Sequence, residues 1–217
     1  MPVRATRAGA GVTGGGVIAG DDGLARCPWA LDHPLNTRYH DAEWGVPVRS
    51  ERGLFERLVL EAFQSGLSWL TILRKREGLR AAFAGFDPDA VAAYGDDDHA
   101  RLMADASIIR NRRKIAAAVT NARAIVALRA RGGVERLIWS HRPGPEPAYR
   151  TLEEVPARTP ASAAMAKDLK VHGFVFVGPV TCLALMQAAG LVDHHLEGCH
   201  RRGIAAGCLT EPLRPPS

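Results

Sequence analysis

Apolar residues recur at intervals of three and four along most of this 217-residue chain. In the stretch SERGLFERLVLEAF, residues Leu54 and Leu58 fall on one face of a helix. Ser50 stands before this stretch, Ser68 before the next one and Asp87 before a third, and these are side chains that cap helix N-termini. The pattern predicts helices, and the caps follow one another closely, so the helices must be short.

The remaining segments lead to the same fold class. A helix is predicted to begin at Ser162 and to stop at Gly173. The sequence FVFV at 174–177 is strand-like, but it is too short and isolated to define a sheet. Residues 141–158 contain four prolines and are predicted to form a long irregular loop. We therefore predict an all-α fold of many short helices that cross at large angles.

Composition suggests one domain between two tails. Residues 1–25 are rich in Gly and Ala and contain no aromatic residue, which predicts a disordered N-terminal tail. Within it, GAGVTG at 9–14 matches a dinucleotide-binding pattern but lacks the preceding strand that such a site needs. Residues 206–217 are predicted to be a second tail. The domain is expected to span residues 26–205.

Charge and cysteine content narrow the class of protein. The formal net charge is +5 and the pI is about 9.3, which favours an anionic partner such as nucleic acid. No apolar run reaches the length of a membrane helix, so we expect no membrane partner. The four cysteines are too few and scattered for a disulfide scaffold, which predicts a cytoplasmic protein with reduced thiols.

The stretch KVHGFVFVGPVTCLALMQ, residues 170–187, is typical of two helices joined by a tight turn. The first helix ends at Gly173, Val177 and Gly178 lie in the turn, and the second begins near Thr181. Free N–H groups at the start of a helix can bind a phosphate. The pattern fits a helix-hairpin-helix that contacts the DNA backbone, and it fits an ordinary helical corner equally well.

A basic run, IIRNRRK at 108–114, precedes the longest predicted helix. Its cations are Arg110, Arg112, Arg113 and Lys114. Such a run is usually a solvated face. Beside a phosphate-binding hairpin, it becomes a second candidate for contact with the DNA backbone.

The stretch DHHLEGCH at 193–200 concentrates residues that bind metals. His195 and Cys199 are four residues apart, a spacing that places two ligands on one helical face. His194 would point elsewhere and His200 lies beyond a glycine, so both are also compatible with surface positions.

Several motifs in order resemble the DNA-3-methyladenine glycosylase I family. They are RCPWALDHPLNTRYHDAEWGVP (26–47), LEAFQSGLSWLTILRKRE (60–77) and FVGPVTCLALMQAAGLVDHHLEGC (176–199). The resemblance spans roughly residues 25–200. It implies an all-α fold with a helix-hairpin-helix, a structural zinc ion, and monofunctional removal of 3-methyladenine from alkylated double-stranded DNA. It also implies a monomer.

The resemblance implies that Cys27, His40, His195 and Cys199 hold the zinc. Four protein ligands fill a tetrahedral shell and leave no position for a reactive water, so the metal is expected to be structural. A link from residue 40 to residue 195 would be worth about 5 kcal/mol by chain-entropy arithmetic. Cys208 is either a stray thiol or a substitute ligand.

Glu61 is the candidate catalytic residue. It lies in line with Leu54 and Leu58 on the apolar face of its predicted helix, where a carboxylate is costly unless it is used or paired. Alternatively, it escapes to solvent as the helix frays. The resemblance implies that Glu61 lines a base pocket, recognises the base and stabilises charge. Whether it also activates water stays open.

Four aromatic residues accompany Glu61 in the motifs: Trp29, Tyr39, Trp44 and Trp69. Core packing could account for any one of them, whereas the resemblance implies a pocket for an extruded base. Such rings attract a cationic methylated base. Asn36 stands where we expect many family members to carry an aromatic residue, which bears on affinity and on the range of substrates.

Two other functions share some of these sequence features. A non-catalytic zinc protein that binds damaged DNA would share the charge, the hairpin and the metal, but it would not need Glu61 beside tryptophans. A zinc deaminase would need a C-x-x-C pair, which this sequence lacks.

Overall fold

The computed structural model describes residues 15–207, and this part of the chain is largely helical. The prediction of an all-α fold of many short helices is confirmed. The helices are α1 (Pro34–Ala42), α2 (Glu51–Gln64), α3 (Trp69–Ala82), α4 (Pro88–Ala92), α5 (Asp96–Ala104), α6 (Arg112–Leu128), α7 (Gly133–Trp139), α8 (Pro160–Val171), α9 (Pro179–Ala188) and α10 (Ile204–Gly207). Shorter 3-10 helices occupy Pro28–Leu31, Ala84–Phe86 and Arg129–Arg131. Among the described residues, no helix has the length and apolar character needed to cross a bilayer.

The predicted N-caps of α2, α3 and α4 are confirmed. The side chains of Ser50, Ser68 and Asp87 each accept hydrogen bonds from backbone N–H groups in the first turn of their helix. Helix α8 begins earlier than predicted, because Thr159 caps it and exchanges reciprocal hydrogen bonds with Ser162.

The segment FVFV, which joins α8 to α9, is a turn and not a strand. Gly173 and Phe176 have positive φ angles of 86° and 57°, which no strand permits. Phe174 and Val177 are buried and anchor the turn in the core. Their apolar character therefore reflects packing of a hairpin.

Strands β1 (Ile18–Ala19) and β2 (Ala25–Arg26) pair in antiparallel register. The guanidinium of Arg26 is buried and bonds to Asp22 at 2.6 Å and to Asp41 at 2.8 Å. The prediction of a tail that extends to residue 25 is therefore wrong for residues 15–25, because this ladder and these ion pairs fasten them to α1. The GAGVTG motif and Cys208 lie outside the described residues.

Two buried polar side chains of α6 fasten neighbouring loops. Lys114 Nζ donates to the carbonyls of Phe63 and Ser65, both at 2.7 Å, where the dipole of α2 favours a cation. Asn121 pairs with the backbone of Val175 through bonds of 3.1 and 2.8 Å. Helix α6 therefore fixes the end of α2 and the turn between α8 and α9 relative to one another.

Candidate active site and metal centre

A cavity of about 460 Å³ opens beside the C-terminal half of α2. Its lining includes Glu61 and all four aromatic residues singled out in the sequence: Trp29, Tyr39, Trp44 and Trp69. They come from the first 3-10 helix, from α1 and the residues after it, and from the start of α3. The volume and the four aromatic rings of the lining suit a small planar ligand.

Glu61 is buried within α2, with 7% of its surface exposed, so it does not escape to solvent at a frayed end. Burial raises the pKa of Glu61 to about 8, and the positive charge of Arg57, one turn earlier, opposes this rise. No described residue donates a hydrogen bond to its carboxyl group. Such a carboxyl is poised to gain a cationic partner.

Three further residues of the lining carry buried polar atoms without a hydrogen-bond partner in the described chain. They are Tyr39 Oη, Trp69 Nε1 and Asn36 Oδ1. Burial, reinforced by the charge of Glu61, raises the pKa of Tyr39, so its hydroxyl keeps its proton. An unpaired buried polar atom costs free energy, and a bound molecule with complementary groups would remove that cost.

The aromatic wall of the cavity continues into a second site. The rings of Tyr39 and Trp69 lie 4.9 Å apart, and those of Trp29 and Trp44 lie 5.1 Å apart at nearly right angles. On its far side, Trp44 packs against the ring of His195 at 4.5 Å. Displacement of His195 would therefore be felt in the cavity wall.

At this second site, Cys27, His40 and Cys199 place one ligand atom each within 4.8 Å of one another. The sulfur of Cys199 is 3.4 Å from His40 Nε2. Hydrogen bonds from the Cys27 thiol and from His40 lower the pKa of Cys199, which favours its thiolate. A thiolate is the form that binds metal ions. The three residues could hold a metal.

His195 borders these three residues but lies outside the group that meets the 4.8 Å limit. Its ring is 5.1 Å from that of His40, and its Nε2 is buried with no partner in the described chain. Carboxylates engage the other ring nitrogens: Asp193 lies 2.9 Å from His195 Nδ1 and Asp41 lies 2.8 Å from His40 Nδ1. Such outer carboxylates orient the imidazole ligands of metal sites.

The sequence did not reveal a buried charge network beside the cavity. Glu43 accepts hydrogen bonds from Arg57 at 3.0 Å and from Arg76 at 2.7 Å. Burial alone would raise the pKa of Glu43, but the two guanidinium groups outweigh it and lower the pKa. The one signal available was that Arg57 and Arg76 fall on apolar helix faces.

Of the predicted basic cluster, Arg110, Arg112 and Arg113 are exposed, and none forms an ion pair with a described residue. Lys114 differs: it is buried, and its ammonium caps α2 as described above. The prediction that Lys114 contacts DNA is therefore corrected, because its ammonium group is hydrogen-bonded to backbone carbonyls inside the fold.

The predicted hairpin residues lie at the junction of α8 and α9. Gly173 is exposed with positive φ, Val177 is buried, and Thr181 lies in the first turn of α9. Gly178 is the N-cap of α9 and offers no capping side chain. The first N–H groups of this ten-residue helix are thus left for another acceptor.

Comparison with known proteins places this arrangement in a family. The family model described as methyladenine glycosylase matches residues 29–202. DNA-3-methyladenine glycosylase 1 of Escherichia coli is 47% identical over 180 residues, which cover 81% of this chain and 96% of that protein. DNA-3-methyladenine glycosylase of Haemophilus influenzae is 43% identical over 178 residues, covering 80% and 96%.

Solved structures agree with this placement. A crystal structure of 3-methyladenine DNA glycosylase I superposes with a TM-score of 0.78 at 46% identity, covering 82% of this chain and 99% of that one. The Staphylococcus aureus enzyme, whose structure addresses 3-methyladenine recognition, gives 0.77 at 36% identity, covering 82% and 96%. The fold and the cavity are therefore those of a DNA glycosylase. Within that class, the chain belongs to the methyladenine glycosylase family, as the sequence motifs predicted.

Proposed function

We propose that this chain removes 3-methyladenine from alkylated DNA by hydrolysing the N-glycosidic bond, as the first step of base-excision repair. The observation that carries the proposal is the cavity in which a buried carboxyl group, Glu61, lies among four aromatic side chains. The relatives support the proposal, since they are named for this activity and one related structure contains bound 3-methyladenine.

The substrate explains why these groups are sufficient. A base inside the duplex cannot be reached, so the enzyme must flip it out. The methylated nucleoside is a cation, and aromatic faces and an ionised Glu61 both stabilise a cation. The Tyr39 hydroxyl and the Trp69 N–H are donors that a bound base can satisfy.

The bond breaks between C1′ of the sugar and the ring nitrogen, and its electron pair leaves with the base, which departs neutral. Water then bonds to C1′ and releases a proton. The developing positive charge on the sugar is stabilised by a nearby carboxylate, the role proposed for Glu61. The described residues that line the cavity include no lysine for an imine, which fits a monofunctional enzyme.

We propose zinc as the metal, held by Cys27, His40, His195 and Cys199. The close approach of three of these residues and the unpartnered Nε2 of His195 support the fourth position. Two thiolates and two imidazoles suit a closed tetrahedral zinc site. When bound, the ion would supply a crosslink between the ends of the fold and no reaction step.

The proposed DNA-binding face combines the α8–α9 hairpin with the exposed arginines that precede and begin α6. Asn121 and Lys114 support it, because they fix the hairpin and the cavity edge to the same helix. The hairpin would bind phosphate through the backbone of Gly173, Val177 and Gly178 and the side chain of Thr181. Duplex DNA, rather than a single strand, suits a surface that reads the backbone.

Three further proposals concern the oligomeric state, the compartment and the domain bounds. The chain is proposed to act as a monomer, as the family resemblance implies. It is proposed to work in the cytoplasm, since Cys27, Cys182 and Cys199 are all unbridged. The proposed domain spans residues 26–205, together with the β1–β2 ladder that pairs residues 18–19 with it.

The proposed activity predicts that the protein, incubated with methylated duplex DNA, releases free 3-methyladenine and leaves abasic sites. Chromatography of the released bases measures this directly. Tight binding to the methylated DNA without release of any base would contradict the proposal. That outcome would instead favour a non-catalytic protein that binds damaged DNA.

The DNA-binding face predicts a salt effect. Replacing Arg110, Arg112 and Arg113 together by Gln should weaken duplex binding and reduce the slope of log K against log salt concentration by about 2 to 3, because each phosphate contact contributes about 0.9. The control is Arg131→Gln, an exposed arginine beyond the opposite end of α6. Fluorescence anisotropy across a salt series measures both. An unchanged slope in the triple variant would remove these residues from the face.

A further inference from the structure

Helix α9 brings an amide to the base cavity. Gln187, in the last turn of α9, lines the cavity together with Ala184. Its side-chain nitrogen lies 2.8 Å from Nδ1 of His194. Its side-chain oxygen has no hydrogen-bond partner in the described chain. An amide that is held in place with its oxygen free can accept a hydrogen bond from a ligand in the cavity.

His194 is held on both sides. It is 2% exposed, so the interpretation of this residue as a surface histidine is wrong. Its Nε2 lies 2.7 Å from a carboxylate oxygen of Glu146, and its ring packs edge-on against Tyr149 at 5.1 Å. A carboxylate only accepts hydrogen bonds, so Nε2 is the donor in this pair.

This donor fixes the direction of the whole chain of hydrogen bonds. A neutral imidazole carries one hydrogen, and with that hydrogen on Nε2 the Nδ1 of His194 is an acceptor, which receives its hydrogen bond from the amide nitrogen of Gln187. The amide oxygen is therefore turned away from His194 and remains free. Without this support, the amide could rotate by half a turn and present its N–H groups instead.

We infer that Gln187 is an additional base-contacting residue whose oxygen accepts a hydrogen bond from the exocyclic amino group of the extruded adenine. His194 and Glu146 are positioning residues that hold this oxygen in place. The inference rests on the proposed function, because it assumes that the methylated base occupies the cavity.

The consequence is selectivity between two methylated purines. Adenine carries an amino group at C6, a donor, whereas guanine carries a carbonyl oxygen there, an acceptor. An amide oxygen held in one orientation accepts a hydrogen bond from the amino group of adenine. With guanine, the same oxygen would face the carbonyl oxygen, and two acceptors cannot form a hydrogen bond. A site built to receive a hydrogen bond rejects ligands that cannot donate one.

The test compares 3-methyladenine with 3-methylguanine. Both free bases are titrated against the zinc-loaded protein and followed by tryptophan fluorescence, and release of both from the same alkylated DNA is measured. Gln187→Met, similar in shape, should lower the preference for 3-methyladenine about tenfold, the worth of one hydrogen bond. His194→Leu should do the same, and His194→Gln, which can both accept and donate, should restore it.

His141→Leu is the matched control, because His141 also bonds to a carboxylate, Asp168 at 2.9 Å, but does not line the cavity. It should leave the preference unchanged. Zinc content is measured for every variant, because His194 adjoins a proposed ligand. An unchanged preference in folded, zinc-loaded Gln187→Met overturns the inference. Failure of the wild-type protein to bind or release either base would instead overturn the proposed function.

Discussion

Replacement of Glu61 by Gln is expected to lower kcat/KM for release of 3-methyladenine by about 100-fold or more. Gln keeps the shape and the acceptor oxygen but cannot carry the negative charge that stabilises a cationic base and a developing positive charge. In the wild-type protein, kcat/KM should rise with pH towards the Glu61 pKa of about 8 and level off above it. In the variant, this dependence should disappear. Base release from methylated DNA at a series of pH values measures both effects.

The same replacement is expected to stabilise the fold at alkaline pH. The pKa of Glu61 is about 8 in the folded state, against an ordinary value of 4.5 for a glutamate in water. Between these values the folded protein binds more protons than the unfolded chain, so the wild-type protein loses stability as pH rises. Each pH unit is worth about 1.4 kcal/mol, so the advantage of the variant grows to the order of 5 kcal/mol above pH 8 and vanishes near pH 4.

Urea unfolding at pH 5, 7 and 9 measures this advantage. Glu77→Gln is the control, because it removes the same charge from an exposed position, 81% accessible, on the neighbouring helix α3. It should change neither the activity nor the pH dependence of stability. The role of Glu61 would be wrong if the variant released base at the wild-type rate. Its burial as an unpaired carboxyl would be contradicted by a stability difference that is constant with pH.

Local rules explain what the sequence predicted well. A capping serine or aspartate satisfies N–H groups within its own first turn, so Ser50, Ser68 and Asp87 could be recognised without knowing the fold. The position of Glu61 on an apolar face follows from helical period alone. That it lies beside Trp29 and Trp69 needed the family resemblance, since no local rule brings distant segments together.

Where the sequence predicts the wrong environment for a residue, the true environment is set by partners that lie far away in the chain. Lys114 belongs to a basic run that is typical of a solvated face. Its ammonium group finds two carbonyl acceptors only because the end of α2 packs against α6. His194 was separated from its partners Gln187 and Glu146 by turns that sequence spacing does not describe. Arg26 likewise orders the β1–β2 hairpin through Asp41 of α1. Buried polar groups must be paired, but the sequence does not say with what.

Loss of the proposed zinc ion is expected to destabilise the whole domain. Cys199 and His40, which meet at 3.4 Å, are 159 residues apart in the chain. A crosslink over such a span lowers the entropy of the unfolded chain and thereby raises the free energy of unfolding by about 5 kcal/mol. For a protein of this size, losing that contribution corresponds to a fall in Tm of roughly 10–20 °C. Cys199→Ser should bind much less than one zinc per chain and unfold at this lower temperature. Calorimetry and metal analysis measure the two effects.

Cys182→Ser is the matched control, because Cys182 is a buried, unbridged cysteine of α9 outside the metal cluster. It should keep its zinc and lose far less stability. A chelator should lower the Tm of the wild-type protein and leave that of Cys199→Ser unchanged. Because Trp44 packs against His195 and also lines the cavity, base release should fall together with the Tm when the metal is removed. Chelated protein that kept its Tm but lost base release would show that the metal serves the reaction, contrary to the structural role proposed here.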